Sequence, residues 1–293
     1  MSRRRCAFLT MDDLTGFYTY EQATFPYFDA LGWQVDEVSW RASTDWSVYD
    51  LVVIRTPWDY QADADAFLGV LAQIDAATLL ENSLALCRWN LAKTYLDALR
   101  EDGIPIVRTR WSDPGAPLPE SVFDELGCDE IVIKPVVSAN ANSTYRISRA
   151  AFHDHAEGLS MDFAERAYMV QPFLREIVEQ GEHSLFYFDG RYSHAVLKVP
   201  QADDFRVQEE HGGAISAAVP GPALRDAGDA VLAALDETPL YARVDLVVVG
   251  GGPQLMEVEL IEPSLYFPYD DDAPERFAEA CVQRWEQRTG DRR

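Results

Sequence analysis

Apolar and polar positions fall into alternating blocks over the first eighty residues. Cys6 to Thr10 is a short buried-type run, residues 20–31 carry apolar side chains at helical spacing, and Val35 to Val38 reads as a second strand. Tyr49 to Thr56 is the most apolar strand of this part. Residues 61–76 bring Phe67, Leu68, Leu71 and Ile74 to one helix face, and Thr78 to Asn82 closes the unit. Strands alternating with helices predict an open parallel sheet, hence an α/β fold. No Gly-x-Gly-x-x-Gly follows the first strand, so the dinucleotide-binding signature is missing.

Farther on the periods change. Residues 83–101 predict one helix with Trp89, Tyr95, Leu96 and Leu99 as its core face and Lys93 within it. Residues 103–111 read as a turn and a strand. Ile131 to Val137 is a β-branched strand interrupted by Lys134, followed by the polar loop Ser138-Ala139-Asn140-Ala141-Asn142-Ser143 and another strand. Tyr168 to Leu174 is an apolar segment. Residues 184–199 form a hairpin turning at Asp189-Gly190, and residues 221–236 an Ala-rich helix. Two strands, Val244 to Val249 and Leu255 to Ile261, flank Gly250-Gly251-Gly252-Pro253. The stretch 274–288 is amphipathic, with Phe277, Cys281 and Trp285 four apart. Asp270-Asp271-Asp272 precedes it, where negative charge favours a helix start.

Composition narrows the function. The net charge of −24 excludes a general nucleic-acid binder. No run approaches the roughly 18 apolar residues of a membrane span. The apolar run after Arg3-Arg4-Arg5 is too short for a signal peptide. Cys6, Cys87, Cys128 and Cys281 are scattered, which predicts free thiols in a reducing cytoplasm. Of the 25 basic residues only Lys93, Lys134 and Lys198 are lysines. A GC-rich genome replaces Lys by Arg but does not by itself produce 49 acidic residues, whereas a salt-accumulating cytoplasm favours both. Either way, the three retained lysines become informative.

Asp245, Glu257 and Glu259 interrupt the two apolar strands. Glu257 and Glu259, two apart, share a strand face, and pairing through the Gly turn brings Asp245 near them. Three convergent carboxylates repel one another unless a cation intervenes, and hard oxygen donors suit Mg²⁺. The plain alternative is a solvated acidic face. Lys134 with its polar loop fits a phosphate-covering hairpin, or an edge lysine beside an ordinary turn. Tyr168 to Leu174 offers an adenine slot, with Glu176, Glu179 or Glu182 for the ribose hydroxyls. Arg55 and Asp59, at the carboxyl end of the third strand, are placed to grip a small zwitterion walled by Trp58 and Tyr60. Equally, Pro57 stops that strand and Asp59 caps the next helix. The five histidines show no metal or triad spacing and read as structural.

From about Asn82 to Pro263 the order of these motifs resembles the ATP-grasp superfamily, in the glutathione-synthetase and ribosomal glutamate-ligase branch. Lys93 and Lys134-Pro135 resemble its two nucleotide lysines, and Gln171-Pro172-Phe173-Leu174 with Glu176 its adenine hinge. Gly181-Glu182 with Phe188-Asp189-Gly190, Leu197-Lys198-Val199-Pro200, Arg206-Val207-Gln208 and Gly212-Gly213 are similar to further elements of glutathione synthetases. Asp245, Glu257 and Glu259 fall where the family holds Mg²⁺, Glu259 replacing the usual Asn. The loop 138–143 lacks the family's glycines, and Ser184 replaces an Arg of glutathione synthetases. Residues 55–60, Arg88-Trp89-Asn90 with Lys93, and Ile261-Glu262-Pro263-Ser264-Leu265 are closer to a subgroup that includes D-cycloserine synthetase, a cyclo-ligase acting on an ureido-serine.

The resemblance implies three subdomains: a substrate-binding α/β unit (1–85), a lid (86–168) and a C-terminal metal and nucleotide unit (169–293). It implies ATP and Mg²⁺ (or Mn²⁺), with Lys93, Lys134, Gln171 to Leu174, Glu176 and Glu182 on the nucleotide. In catalysis Lys198 would offset phosphate charge together with Lys93 and Lys134, and Arg206 would stabilise the transferred group and the later tetrahedral oxyanion. The activity implied is a carboxylate–amine ligase passing through an acyl phosphate. An intramolecular cyclo-ligase or small-molecule kinase comes second, and a nucleotide-binding protein without turnover third. A small-molecule substrate, no nucleic acid, no membrane and a homo-oligomer (dimer or tetramer) complete the expectation. The charge excess makes a separate prediction. Screening ions relieve carboxylate self-repulsion, so the melting temperature is expected to rise from low to molar KCl. A flat or falling curve leaves base composition as the reason for the missing lysines.

Overall fold

The computed structural model describes residues 3–138, 143–201, 206–207, 209 and 212–290. Its first sheet is the predicted parallel one. β1 (Arg4–Thr10) is followed by α1 (Phe25–Ala30), β2 (Trp33–Ser39), β3 (Leu51–Thr56), α2 (Ala64–Ala77) and β4 (Leu79–Glu81). The strand order is β2-β1-β3-β4, every pair parallel. All six residues of β3 are buried, as its unbroken apolar run requires for a central parallel strand. The helix expected over 20–31 begins instead as a 3₁₀ turn, Glu21–Thr24, and becomes α-helical at Phe25, with Pro26 in its first turn. Asp63, not Asp59, caps α2, accepting from the Ala66 amide.

The single helix expected over 83–101 is two: α3 (Leu84–Asn90) and α4 (Tyr95–Glu101). The break between them is held from outside. The Asn90 side chain donates to the Val258 carbonyl and accepts from the Leu260 amide, both at 2.8 Å, and the Lys93 amide donates to the Val136 carbonyl. Lys93 therefore lies in the break rather than within a helix. Next come β5 (Arg110–Ser112), α5 (Val122–Leu126), β6 (Glu130–Pro135), β7 (Tyr145–Ser148), α6 (Phe152–Asp162) and β8 (Tyr168–Pro172). These strands form an antiparallel sheet of order β5-β8-β6-β7 over its own apolar cluster.

The third unit runs α7 (Arg175–Gln180), β9 (Glu182–Phe188), β10 (Arg191–Val199), β11 (Ala214–Ala217), α8 (Pro222–Ala233), β12 (Tyr241–Val249), β13 (Gly252–Glu259) and α9 (Ala273–Thr289). Its antiparallel sheet has order β11-β10-β9-β12-β13. Asp189 and Gly190 both take positive φ, 48° and 73°, as a two-residue hairpin turn demands. The predicted pairing of the acidic strands holds, with Asp245 directly opposite Glu257. α9 packs between this sheet and the parallel one. The Phe277 ring lies 6.2 Å from Phe8, 5.3 Å from Phe188 and 6.2 Å from Tyr241, joining the two cores. Cys6, Cys87, Cys128 and Cys281 are free thiols. Among the described residues no helix is long and apolar enough to cross a membrane.

The first and third units are locked by side chains that seize the main chain at 261–263. The Tyr241 hydroxyl bridges the Ile54 and Ile261 carbonyls at 2.7 and 2.9 Å, and the Trp58 indole donates to the Glu262 carbonyl at 2.9 Å. Arg55 is fully buried, ion-paired with Glu21 at 3.0 Å and donating to the Pro263 carbonyl at 2.9 Å. Asp59 accepts from Trp40 and pairs with Arg41. The expected zwitterion grip by Arg55 and Asp59 is thus corrected: both charges are already satisfied within the protein.

Two outcomes follow from this packing. Arg55→Ala strands Glu21 in the core and is expected to cost about 3–5 kcal/mol of unfolding free energy. An unchanged denaturation midpoint would count against a structural role. His194 is buried on β10, stacked on Phe186 with its Nε2 facing the Leu265 carbonyl at 2.9 Å. Burial lowers its pKa from 6.5 to about 4. Between those values the unfolded chain binds a proton that the folded chain rejects, so His194 makes stability fall as pH drops through that window. At pH 5 it accounts for about 2 kcal/mol. His194→Gln should remove that share of the difference in unfolding free energy between pH 7 and pH 5, measured against wild type.

Candidate functional site

The three units meet around an open cleft lined by residues of all three. Lys93, Lys134 and Lys198, every lysine in the chain, line it. They arrive from three directions: the α3–α4 break, β6 of the second sheet, and β10 of the third sheet. Lys93 Nζ contacts Glu257 at 2.5 Å and the Ser138 carbonyl at 3.0 Å. Lys198 Nζ sits between Glu182 at 2.5 Å and Asp245 at 3.2 Å. Lys134 has no ion pair among the described residues, and burial lowers its pKa.

The acidic strands carry their own counter-charge. Arg243 lies two residues before Asp245 on β12 and therefore on the same face. It pairs with Asp245 and, across the ladder, with Glu259. Burial alone would raise Asp245, but Arg243, Lys198 and the Ser184 hydroxyl, which donates to it, hold it well below the usual carboxylate range. Lys93 does the same for Glu257. Glu259 goes the other way: burial raises it, Arg243 offsets only part of that, and Glu257 adds repulsion. Among the described residues no three His, Cys, Asp or Glu side chains come together as a ready metal cage. The three carboxylates share one face of the ladder, and their mutual repulsion is relieved within the protein itself. The reason is Arg243, which answers the mutual repulsion from within the sheet.

At the second sheet, Gln171, Pro172, Phe173 and Leu174 line the cleft. Gln171 is buried and donates to Thr109 Oγ1 at 3.0 Å, and Arg146 covers the Phe173 ring. Glu182 is on the cleft wall. Glu176 is not; Ile177 of the same short helix is. Arg206 also lines the cleft. Residues 139–142 of the polar loop, Gln208 and His211 lie outside the described residues.

At the other end, Trp58 and Tyr60 line the cleft together with Tyr18 and Tyr266. Tyr266 holds the left-handed conformation, φ 46° and ψ 42°, a strained position for an aromatic residue. Glu262 shares this end, its carboxyl pushed up to about 8 by burial and by Glu259. Sequence reasoning gave Arg243 and Tyr266 no place, and named Asn90 and Glu262 only within motifs, without a role. For Arg243 the signal was available in the two-residue spacing from Asp245. For the others it was not, because their positions depend on which carbonyls the folded chain offers.

Comparisons with known proteins agree with this architecture. Residues 6–82 match the model of the D-cycloserine synthetase DcsG N-terminal domain, and residues 122–266 that of the prokaryotic glutathione synthetase ATP-grasp domain. The chain is 30% identical over 274 residues to the cycloserine biosynthesis protein DcsG of Streptomyces lavendulae, spanning 87% of this chain and 90% of that protein. It is 26% identical over 200 residues to the glutathione synthetase of Rhodopseudomonas palustris, spanning 64% of this chain and 61% of that protein. The crystal structure of D-cycloserine synthetase DcsG matches with a TM-score of 0.85 at 27% identity, over 96% of this chain and 99% of that one. The D-alanine–D-alanine ligase of Bacillus anthracis matches with a TM-score of 0.69 at 14% identity, over 98% and 99%, a likeness of fold alone. The chain belongs to the ATP-grasp ligases, ADP-forming enzymes that make carbon–nitrogen bonds, in the group that shares the DcsG N-terminal domain.

Proposed function

We propose that the protein uses ATP to activate the carboxylate of a small amino-acid-like substrate as an acyl phosphate, and captures it with a nitrogen of the same molecule. One observation carries the ligase part: every lysine of a lysine-poor chain lines one cleft between lid and sheet, facing carboxylates. Lys93, Lys134 and Lys198 offset the charge of the triphosphate, and Lys134, which lacks an ion pair among the described residues, gains most from an arriving phosphate. Gln171 to Leu174 form the adenine end. Arg206 is assigned to the transferring phosphoryl group and, with Lys198, to the oxyanion that develops when nitrogen attacks.

The donors at the sheet are carboxylate oxygens, which fit Mg²⁺ or Mn²⁺. Asp245, Glu257 and Glu259 would hold it, and it would neutralise phosphate oxygens there. Arg243 keeps Asp245 and Glu259 oriented, and Lys93 keeps Glu257 ionised. No side-chain nucleophile is required.

The intramolecular reading rests on the match of residues 6–82 to the D-cycloserine synthetase N-terminal domain, because that stretch supplies Tyr18, Trp58 and Tyr60 to the cleft. The aromatic walls leave little room for a long peptide. A screen of ADP release over amino acids and their ureido and dipeptide derivatives tests both parts. The expected result is ADP from an ureido-serine with no added amine. ADP release only on adding a second amine would make the enzyme an intermolecular ligase. Mg·ATP at about 100 times its dissociation constant should stabilise the fold by about 2.7 kcal/mol. No such shift, and no ADP from any substrate, would sink the proposal.

A further inference from the structure

Glu262 differs from the acids carried by the strands of the sheet. It is 8% exposed and lines the cleft. Its neighbours Glu182, Asp245, Glu257 and Glu259 each have a lysine or arginine within 4.0 Å, while Glu262 has none among the described residues. The cations that sequence position would offer are taken. Lys93 is held by Glu257 and the Ser138 carbonyl, and Arg55 by Glu21 and the Pro263 carbonyl.

What Glu262 does receive is neutral: the Tyr60 hydroxyl, and the Gln61 amide at 3.4 Å. Its main chain is fixed by the Trp58 indole, so the side chain has a set origin. Neutral donors orient the carboxyl but bring no cation, so burial and Glu259 favour its protonated form until a cation arrives beside it. Trp58, Tyr60 and Tyr266 add electron-rich rings to the same end, surroundings that favour a cation over an anion.

We propose that Glu262 is a specificity-determining residue that receives the α-ammonium group of the amino-acid substrate in a pocket walled by Trp58, Tyr60 and Tyr266. This rests on the ligase reading above and deepens it. A substrate anchored by its ammonium at Glu262 presents the adjacent carboxylate toward the lysine end, where activation takes place. The recognition is therefore of a positive group, the reverse of the carboxylate grip that Arg55 suggests in sequence.

The test pairs a change in the protein with a change in the ligand. kcat/KM is measured for an ureido-serine and for its analogue with hydrogen in place of the α-ammonium, in wild type, Glu262→Gln and Glu262→Asp. Wild type is expected to prefer the ammonium compound by roughly 30- to 100-fold, the size of a charge-assisted hydrogen bond. In Glu262→Gln that preference should fall below about 5-fold, through a higher KM for the ammonium compound with KM for ATP unchanged. A wild-type preference retained in Glu262→Gln overturns the proposal, as does a wild type that takes both compounds equally. If Glu262→Gln shows no cooperative melting transition and so has not folded, Glu262→Asp decides. That variant keeps the charge but withdraws it, and an undiminished preference there also overturns the proposal. Absence of ADP from wild type with any amino acid tested would instead sink the ligase reading, a result distinct from loss of discrimination.

Discussion

Ionised groups of both signs, buried on one face of a two-stranded ladder, set the terms for the rest of the molecule. Arg243, Asp245, Glu257 and Glu259 come to that face because strand positions two apart point the same way and the pairing sets Asp245 opposite Glu257. A face so rich in carboxylates is tolerable only if cations reach it. One is local, Arg243. The others come from elsewhere: Lys198 from the neighbouring hairpin and Lys93 from the break between two helices. The break is part of the same constraint. The Asn90 amide reaches β13 from the end of one helix, and the Lys93 ammonium reaches Glu257 from the turn that follows. Charge in the sheet is thus answered by a residue 164 positions away in the chain.

A second interlock sets the other end of the cleft. Three side chains from the first and third units, Arg55, Trp58 and Tyr241, bind successive carbonyls of residues 261–263. Asn82 adds to this, donating to the Tyr241 and Leu260 carbonyls and accepting from the Leu240 amide. Buried main-chain groups need partners, and these side chains supply them where no strand does. The arrangement fixes how far the aromatic wall stands from the lysines. It also explains why the segment 55–60 divides its work: Arg55 and Asp59 serve the fold, Trp58 and Tyr60 face the cleft.

Much was determined by the sequence alone. The unbroken apolar run of β3 and the alternation around it specify a parallel sheet, since a strand buried on both faces needs apolar residues at every position. Asp189-Gly190 specifies a tight hairpin, because few residue pairs accept positive φ twice. The scarcity of lysine marks three positions as retained against the general trend, and all three line the cleft. The motif order from Asn82 to Pro263 was enough to name the family. What only the tertiary structure decided is how charges pair. A linear sequence shows that Arg55, Asp59, Glu176, Asp245, Glu257 and Glu259 are ionisable. It does not show which of them meets a partner, because partners such as Glu21, Arg41, Arg243 and Lys93 are chosen by contacts between distant segments. Burial then turns that choice into chemistry. The same carboxyl group becomes a structural anchor at Glu21, a firmly ionised carboxylate at Asp245 and a group without a paired cation at Glu262, according to which cation the fold brings within reach.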